Sequence, residues 1–363
     1  MGIEDKIEQL RRKLDETPVN KATETERARL KARIAELEEE KQQRAKETGG
    51  STSGYAVEKT GDATVALVGP PSVGKSTLLN TLTNADSETG NYEFTTLDVV
   101  PGMLQYNGAH IQVLDVPGLI GGAAEGRGDG TQVLSVVRNA DLVLMMAAPG
   151  KLEGFAEMEE ELYEAGIRLD AEPPNVKIAK TDAGGLDVSS TVEQTQLDED
   201  TIEQVLQDRG IVNASVTLRE DLTLDRLIDA VAANREYIPS VKAVNKVDRL
   251  DDGARQRIAS DYPGAVLISA QTGDGIDELK QRVWDALVLM RVYMKKPGQD
   301  PDRDEPLIVE HGSTVAEVMD ELAGDFSRFK HARIWGDSAD FPEQTVGEDH
   351  VLQDEDVVEL RTD

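Results

Sequence analysis

The run Gly69-Pro70-Pro71-Ser72-Val73-Gly74-Lys75-Ser76 constrains this chain more than any other feature. It fits the pattern G-x-x-x-x-G-K-[S/T], and its surroundings are those the pattern needs. Residues 63–68 (Ala-Thr-Val-Ala-Leu-Val) read as a short buried strand, and residues 77–82 read as the first turns of a helix. Glycines let such a loop curl its backbone N–H groups around a phosphate, at a helix N-terminus that already favours negative charge. Pro71, Ser72, Val73, Gly74, Lys75, Ser76 and Thr77 would then line the phosphates. Lys75 would reach the β- and γ-phosphates, and the Ser76 hydroxyl would ligate Mg²⁺.

Composition narrows the field. With 363 residues the chain has room for about two to three domains. Hydrophobic residues make up 39%, enough for ordinary cores. No apolar run is long enough to cross a bilayer and there is no signal-peptide pattern, so a soluble, cytoplasmic protein with no membrane partner is expected. With no cysteine, thiolate metal sites, disulfides and cysteine nucleophiles are excluded. Asp and Glu number 70 against 39 Lys and Arg, a formal charge of −31, which argues against a broad basic face and against DNA as a partner. The acids are spread along the chain between apolar runs rather than gathered in a tail. We read them as adaptation to a cytoplasm at very high salt, where a Debye length of about 3 Å at 1 M screens self-repulsion. Unfolding at low KCl and stability in molar KCl are the expected result, and equal behaviour in both would overturn that reading.

Further along the chain come the parts a phosphate loop requires. Tyr92-Glu93-Phe94-Thr95-Thr96-Leu97 places a threonine, Thr96 or Thr95, where a γ-phosphate-sensing switch belongs. Its hydroxyl and backbone would bind Mg²⁺ and the γ-phosphate and order the loop only in the triphosphate state. Residues 99–106 and 109–114 read as strands joined by Asn107-Gly108, a strong hairpin signal. The second strand delivers Asp115-Val116-Pro117-Gly118. Asp115 would hold Mg²⁺, mostly through water, and the Gly118 N–H would meet the γ-phosphate. Ser76, Thr96 and Asp115 thus form the expected metal set, and Lys75, Thr96 and Gly118 the expected catalytic shell. Gly121-Gly122 and Gly126-Arg127-Gly128-Asp129-Gly130 read as a mobile second switch. Leu119 stands where Ras-like proteins carry the glutamine that orients water. Leucine cannot polarise water, so that group must come from a bound cation, another loop or a partner protein.

Residues 141–147 read as a strand, wholly apolar after Asp141, and the core resumes at 240–248, Ser-Val-Lys-Ala-Val-Asn-Lys-Val-Asp. A buried strand ending in N-K-x-D reads guanine. Asp248 would accept from N1–H and the 2-amino group, a pattern adenine lacks. Asn245 would brace the base and neighbouring loops, and the Lys246 stem would cover the ring. Residues 266–270 supply a last strand and the Ser269-Ala270 turn, whose Ala270 N–H suits guanine O6. A helix from 276 to about 293 closes this part. Strands alternating with helices imply a parallel sheet, with GTP or GDP at the strands' C-terminal ends.

The remaining segments carry no catalytic cluster. Ile3, Ile7, Leu10 and Leu14, then Leu30, Ile34 and Leu37, recur at helical spacing around Pro18. They predict a helical hairpin, opened at its second helix by a Thr23/Glu26 capping box, that either docks on a partner or packs as a strut on its own protein. Residues 49–54 read as a flexible joint. Between the 141–147 and 240–244 strands lie more than ninety residues, an α+β insertion. In it, strand 175–180 is a candidate to pair with 186–192; helices at 201–209 and 224–233 flank a strand at 214–218. After a linker at 299–305, strands at 307–309, 333–335 and 357–360 surround a helix capped by Thr314 and Glu317, a ubiquitin-like grasp. His110, His311, His331 and His350 show no metal-ligand spacing.

The chain resembles the developmentally regulated GTP-binding (Drg) family within the Obg-related GTPases. Besides the runs above, Asn20-Lys21-Ala22-Thr23-Glu24, Asp115-Val116-Pro117-Gly118-Leu119-Ile120, Gly347-Glu348-Asp349-His350 and Asp354-Glu355-Asp356-Val357-Val358 carry the likeness. The resemblance implies an α/β fold: a P-loop GTPase domain at 57–166 and 237–293, an S5D2-like α+β insertion at 167–236, an N-terminal helical hairpin at 1–50 and a C-terminal β-grasp (TGS) domain at 294–363. It implies slow GTP hydrolysis, association with the ribosome or rRNA, and a dedicated regulatory partner protein. Several related GTPases hold an activating K⁺ with a phosphate-loop asparagine; Ser72 takes that position here, which leaves a K⁺ requirement open. RNA contacts would depend on local patches such as Lys295-Lys296 and Lys330-His331-Arg333. The alternative is a nucleotide-gated scaffold on ribosome or RNA in which turnover is incidental.

Overall fold

The structure, a computed structural model, describes residues 2–21, 23–48, 59–83, 99–116, 130–322, 326 and 328–362. It divides into two compact units, one of Tyr55–Ala165 with Ile238–Asp363, the other of Met1–Gly54 with Gly166–Tyr237.

The first unit is built on a six-stranded sheet ordered Val266–Leu267, Ser240–Val244, Leu142–Ala147, Ala63–Val68, Ala109–Asp115, Val100–Tyr106. All neighbours are parallel except the last pair, where Asn107 and Gly108, both at positive φ, turn the chain back. Ala63–Val68 and Leu142–Ala147 are buried at every position, as strands covered on both faces must be. Helices Lys75–Leu82 and Ile276–Ala286 cover part of the sheet with Leu78, Leu79, Leu82, Leu279, Val283 and Trp284. From Ala63–Val68 the chain goes first to Ala109–Asp115 on one side and later to Leu142–Ala147 on the other. The strand order therefore reverses beyond Val68, where the phosphate loop begins and a ligand crevice is expected.

The helix expected to reach about 293 ends earlier. It stops at Ala286, Val288 turns at φ 52°, and Leu289–Met294 is a strand. This strand pairs with Leu307–Glu310 and Asp356–Thr362 in a five-stranded sheet completed by Phe329–Trp335 and Gln344–Val346. A boundary at 294 would cut that sheet; its first strand begins at Leu289. Val315, Val318 and Met319 of helix Val315–Glu321 pack on one face, and Thr314 and Glu317 form the expected capping box. A sheet wrapped around one helix is the β-grasp arrangement.

In the second unit, helices Ile3–Glu16 and Glu24–Thr48 meet along Ile7, Ile34 and Leu37, flanked by Ile3, Leu10 and Leu14. The longer helix has another apolar side. Ala28, Ala32 and Ala35 join the core of helices Glu199–Asp208 and Leu224–Val231, where small side chains allow close approach. So the hairpin packs on the insertion of its own chain. Its cap differs from expectation: the Thr23 hydroxyl donates to the carbonyls of Pro18 and Asn20. The insertion's sheet runs Val176–Lys180, Ala214–Leu218, Leu186–Ser190. Leu186–Ser190 does not pair with Val176–Lys180; it lies parallel to Ala214–Leu218. The crossover through Glu199–Asp208 buries Ile202, Val205 and Leu206, an area a direct hairpin would leave exposed. Among the described residues no helix is long and apolar enough to cross a membrane.

Candidate functional site

Strand Ala63–Val68 ends where the phosphate loop begins, and the loop is shaped by its contacts. Ser72 stands at φ 65° and Gly74 at φ 102°. A Cβ on Gly69 would run into the Met146 carbonyl oxygen, and one on Gly74 would lie 2.6 Å from Asn245 Nδ2. Only glycine lets the loop lie this close to its neighbours. Lys75 Nζ donates to the Gly69 carbonyl at 2.9 Å, folding back over the loop. Burial pushes the Lys75 ammonium below its ordinary pKa, and the nearby Asp115 carboxylate works against that shift. The Ser76 hydroxyl donates to Asp115 Oδ2 at 2.7 Å, so the first helix and the Ala109–Asp115 strand meet at a hydroxyl and a carboxylate. Hard oxygen donors of this kind and number are what Mg²⁺ usually takes from a protein, leaving other positions to water and phosphate.

The guanine-reading motif is tied to that loop. Asn245, 3% exposed, donates from Nδ2 to the Val73 carbonyl at 2.9 Å and accepts at Oδ1 from the Ala270 N–H at 2.9 Å. Of the expected bracing role, the part toward neighbouring loops is visible in these bonds. The same bond changes what Ala270 offers, since the N–H expected to meet guanine O6 is engaged by Asn245 and would have to be shared. Lys246, at φ 67°, reaches Ser72 O with Nζ at 2.5 Å, so its stem spans from the N-K-x-D turn to the phosphate loop. Asp248 sits exposed on the short turn Val247–Arg249. Ser269 is fully buried and shapes its loop by accepting from Thr272 N at 3.2 Å.

Two further contacts had no motif to announce them. Thr81 Oγ1 donates to the Ala270 carbonyl at 2.8 Å, and Lys151 Nζ donates to the Pro71 carbonyl at 3.1 Å. Beside the loop opens a cleft of about 410 Å³ lined by Ser72, Ala148, Pro149, Lys151, Lys246 and Arg249. The Pro149-Gly150 turn at a strand's C-terminal end was the available signal for Lys151.

Comparison with known proteins agrees with this geometry. Residues 64–181 match a family described as 50S ribosome-binding GTPase, residues 183–289 the C-terminal region of that domain, and residues 290–362 the TGS domain. Along 368 aligned residues the chain is 50% identical to an uncharacterized GTP-binding protein of Halobacterium salinarum, covering 99% of each. It is 42% identical to developmentally-regulated GTP-binding protein 1 of Xenopus laevis and 39% identical to developmentally-regulated GTP-binding protein 2 of Homo sapiens, again covering 99% of each chain. The chain belongs to the developmentally regulated GTP-binding protein family.

A Drg protein is a GTP-binding protein of the P-loop GTPase class, and in this one Asn245 ties the G-x-x-x-x-G-K-S loop to the Ser269-Ala270 turn. Of the residues expected at the site, the structure brings together Pro71, Ser72, Val73, Lys75, Ser76, Asp115, Asn245, Lys246 and Ala270 through the bonds just described, and Gly74 through its close approach to Asn245. Thr77 lies in the first turn of the following helix, its carbonyl accepting from Thr81 Oγ1 at 2.9 Å. Thr95, Thr96 and Gly118 fall outside the described residues, as do Leu119 and residues 121–129 of the glycine-rich second switch, whose last residue, Gly130, opens helix Gly130–Arg138.

Proposed function

We propose that this Drg protein is a Mg²⁺-dependent GTPase switch that slowly hydrolyses GTP to GDP and phosphate and reports its nucleotide state to the ribosome. The observation that carries the reading is the Ser76–Asp115 pair at 2.7 Å, set against the phosphate loop. These two residues, with Thr96 (or Thr95), would hold Mg²⁺. When bound, the ion would neutralise charge on the phosphate oxygens. Lys75 would bind the β- and γ-phosphates, the Gly118 N–H would orient the γ-phosphate, and Asn245, Lys246 and Asp248 would select and cover guanine. Leu119 supplies no group to orient water, so one must be recruited. The ribosome is proposed as partner because the family matched by residues 64–181 is described as ribosome-binding; rRNA or a dedicated protein would provide the contact.

Hydrolysis by purified protein across a KCl series with matched NaCl, with Mg²⁺ or with EDTA, tests this. We expect EDTA to reduce turnover by about tenfold or more, consistent with the ion's share in phosphoryl transfer. Hydrolysis unaffected by EDTA would refute the Mg²⁺ assignment. A rise specific to K⁺ would identify a bound cation as the recruited group despite Ser72. Equal, near-uncatalysed rates in both salts would move that role to a partner. Leu119 also sustains a second reading, a scaffold gated by bound nucleotide, which predicts nucleotide-dependent ribosome binding with no stimulation of single-turnover hydrolysis.

A further inference from the structure

Four carbonyls of the phosphate loop accept from side-chain donors. Lys75 Nζ holds Gly69 O at 2.9 Å, Lys151 Nζ holds Pro71 O at 3.1 Å, Lys246 Nζ holds Ser72 O at 2.5 Å, and Asn245 Nδ2 holds Val73 O at 2.9 Å. No peptide bond described is cis. In a trans peptide the C=O and the following N–H point to opposite sides, so a donor that holds the carbonyl turns the next N–H away from itself. Inward N–H groups are what a phosphate needs. Lys75, Lys246 and Asn245 belong to the two nucleotide-binding motifs; Lys151 belongs to neither.

The peptide Lys151 holds is a particular one. Pro70 and Pro71 have no N–H, so after Gly69 the first donor the loop can offer is that of Ser72. That N–H lies in the Pro71–Ser72 peptide, whose carbonyl accepts from Lys151. Ser72 also stands at φ 65°, uncommon for a residue with a side chain and in need of support from its surroundings. Lys151 is well placed to give it. The Pro149-Gly150 turn, with Gly150 at φ 81° and Lys151 N donating to Ala148 O at 2.9 Å, sets the residue at the end of strand Leu142–Ala147. That strand lies directly beside Ala63–Val68, which leads into the phosphate loop.

We propose that Lys151 is a positioning residue for nucleotide binding, fixing the peptide that presents the Ser72 N–H to phosphate; this rests on the reading of the loop as the phosphate site. The competing account is that its charge merely attracts phosphate through space. Titration of full-length Lys151→Met, Lys151→Arg and Asp248→Asn with GDP, at low salt and in 1 M KCl, separates them. Lys151→Met should weaken GDP by about 3- to 10-fold, the scale of one charge-assisted hydrogen bond partly in solvent. Lys151→Arg should restore most of the loss. The loss should persist in 1 M KCl, where a Debye length of about 3 Å removes long-range attraction. The melting midpoint of the nucleotide-free protein should stay the same. The proposal is overturned if GDP affinity changes by less than about twofold, the scatter of a neutral surface change. A loss that disappears at high salt, or that arginine does not repair, or that tracks a lower melting midpoint, overturns it as well. If Asp248→Asn also binds GDP like the parent, the underlying site assignment is what has failed, and the proposal falls with it.

Discussion

Asp248→Asn is expected to weaken GTP and GDP binding by about 100-fold or more and to raise affinity for the xanthine nucleotides. Asp248 would accept two hydrogen bonds from guanine, and each bond to an ionised acceptor contributes about 1.5–3 kcal/mol. An asparagine amide turns one acceptor into a donor. That donor would face the 2-amino group of guanine unfavourably and the 2-carbonyl of xanthine favourably. The turn that carries the side chain does not depend on the carboxylate. Val247 N donates to Ile268 O at 3.2 Å, Leu250 N to Val247 O at 3.0 Å, and Arg255 Nε to Val247 O at 3.1 Å. The variant should therefore fold like the parent, and a change in base preference reports recognition. Titration with GDP and XDP measures it; unchanged GDP affinity would refute the assignment of Asp248 to the base.

Much of this site could be read from sequence because its signals are local. The apolar run before Gly69, the helix-forming run after Lys75 and the Asn107-Gly108 turn each specify structure within a few residues, and the structure follows them closely. Thr314 and Glu317 cap their helix as three-residue spacing predicts. Signals that depended on distant partners were less legible. Leu186–Ser190 alternates like a hairpin strand, yet Ala214–Leu218 takes the place beside it, because the pairing that wins is the one that buries the crossover helix. Likewise residues 289–294 share the apolar spacing of the helix before them, and only the strands at 307 and 356 make them a strand. Asn245 was expected to brace neighbouring loops, but which atoms it would hold, and that Ala270 would be one partner, required the fold. Lys151 had only the Pro149-Gly150 turn before it as a signal, and a lysine after a Pro-Gly turn is ordinary until Pro71 is beside it.

The largest stability effect should come from a place with no motif. Asp229 Oδ2 and Oδ1 accept from Arg168 Nε at 2.7 Å and Nη2 at 2.8 Å, and Oδ1 also accepts from Arg235 Nε at 2.7 Å. Arg235 stands 3.8 Å from Glu38 of the long N-terminal helix, and Glu38 pairs with Arg11 of the first helix at 3.0 Å. The side chains of Arg168, Asp229 and Arg235 are 9%, 7% and 7% exposed, so one carboxylate accepts from two guanidinium groups largely out of water, with Glu38 as a second, longer partner of Arg235. Removing one member of a buried ion cluster usually costs about 3–5 kcal/mol, more than the intact cluster contributes, because the remaining charges are desolvated without compensation. Asp229→Ala should lower the stability of the unit formed by the hairpin and insertion by that amount in urea unfolding, while Asp229→Asn, which keeps one acceptor oxygen and fills the space, should cost less. The neighbouring Tyr237 gives an independent readout. Burial first, and then the Asp229 charge, push its phenol above the ordinary range, so Asp229→Ala should bring its titration back toward lower pH. Every described residue of the nucleotide site lies in the other unit, and GDP affinity should change by less than about twofold, as for sites that share no partners. If both variants unfold like the parent, water must reach the two arginines and solvate them, and the cluster would be a surface network of the weak kind rather than a buried one.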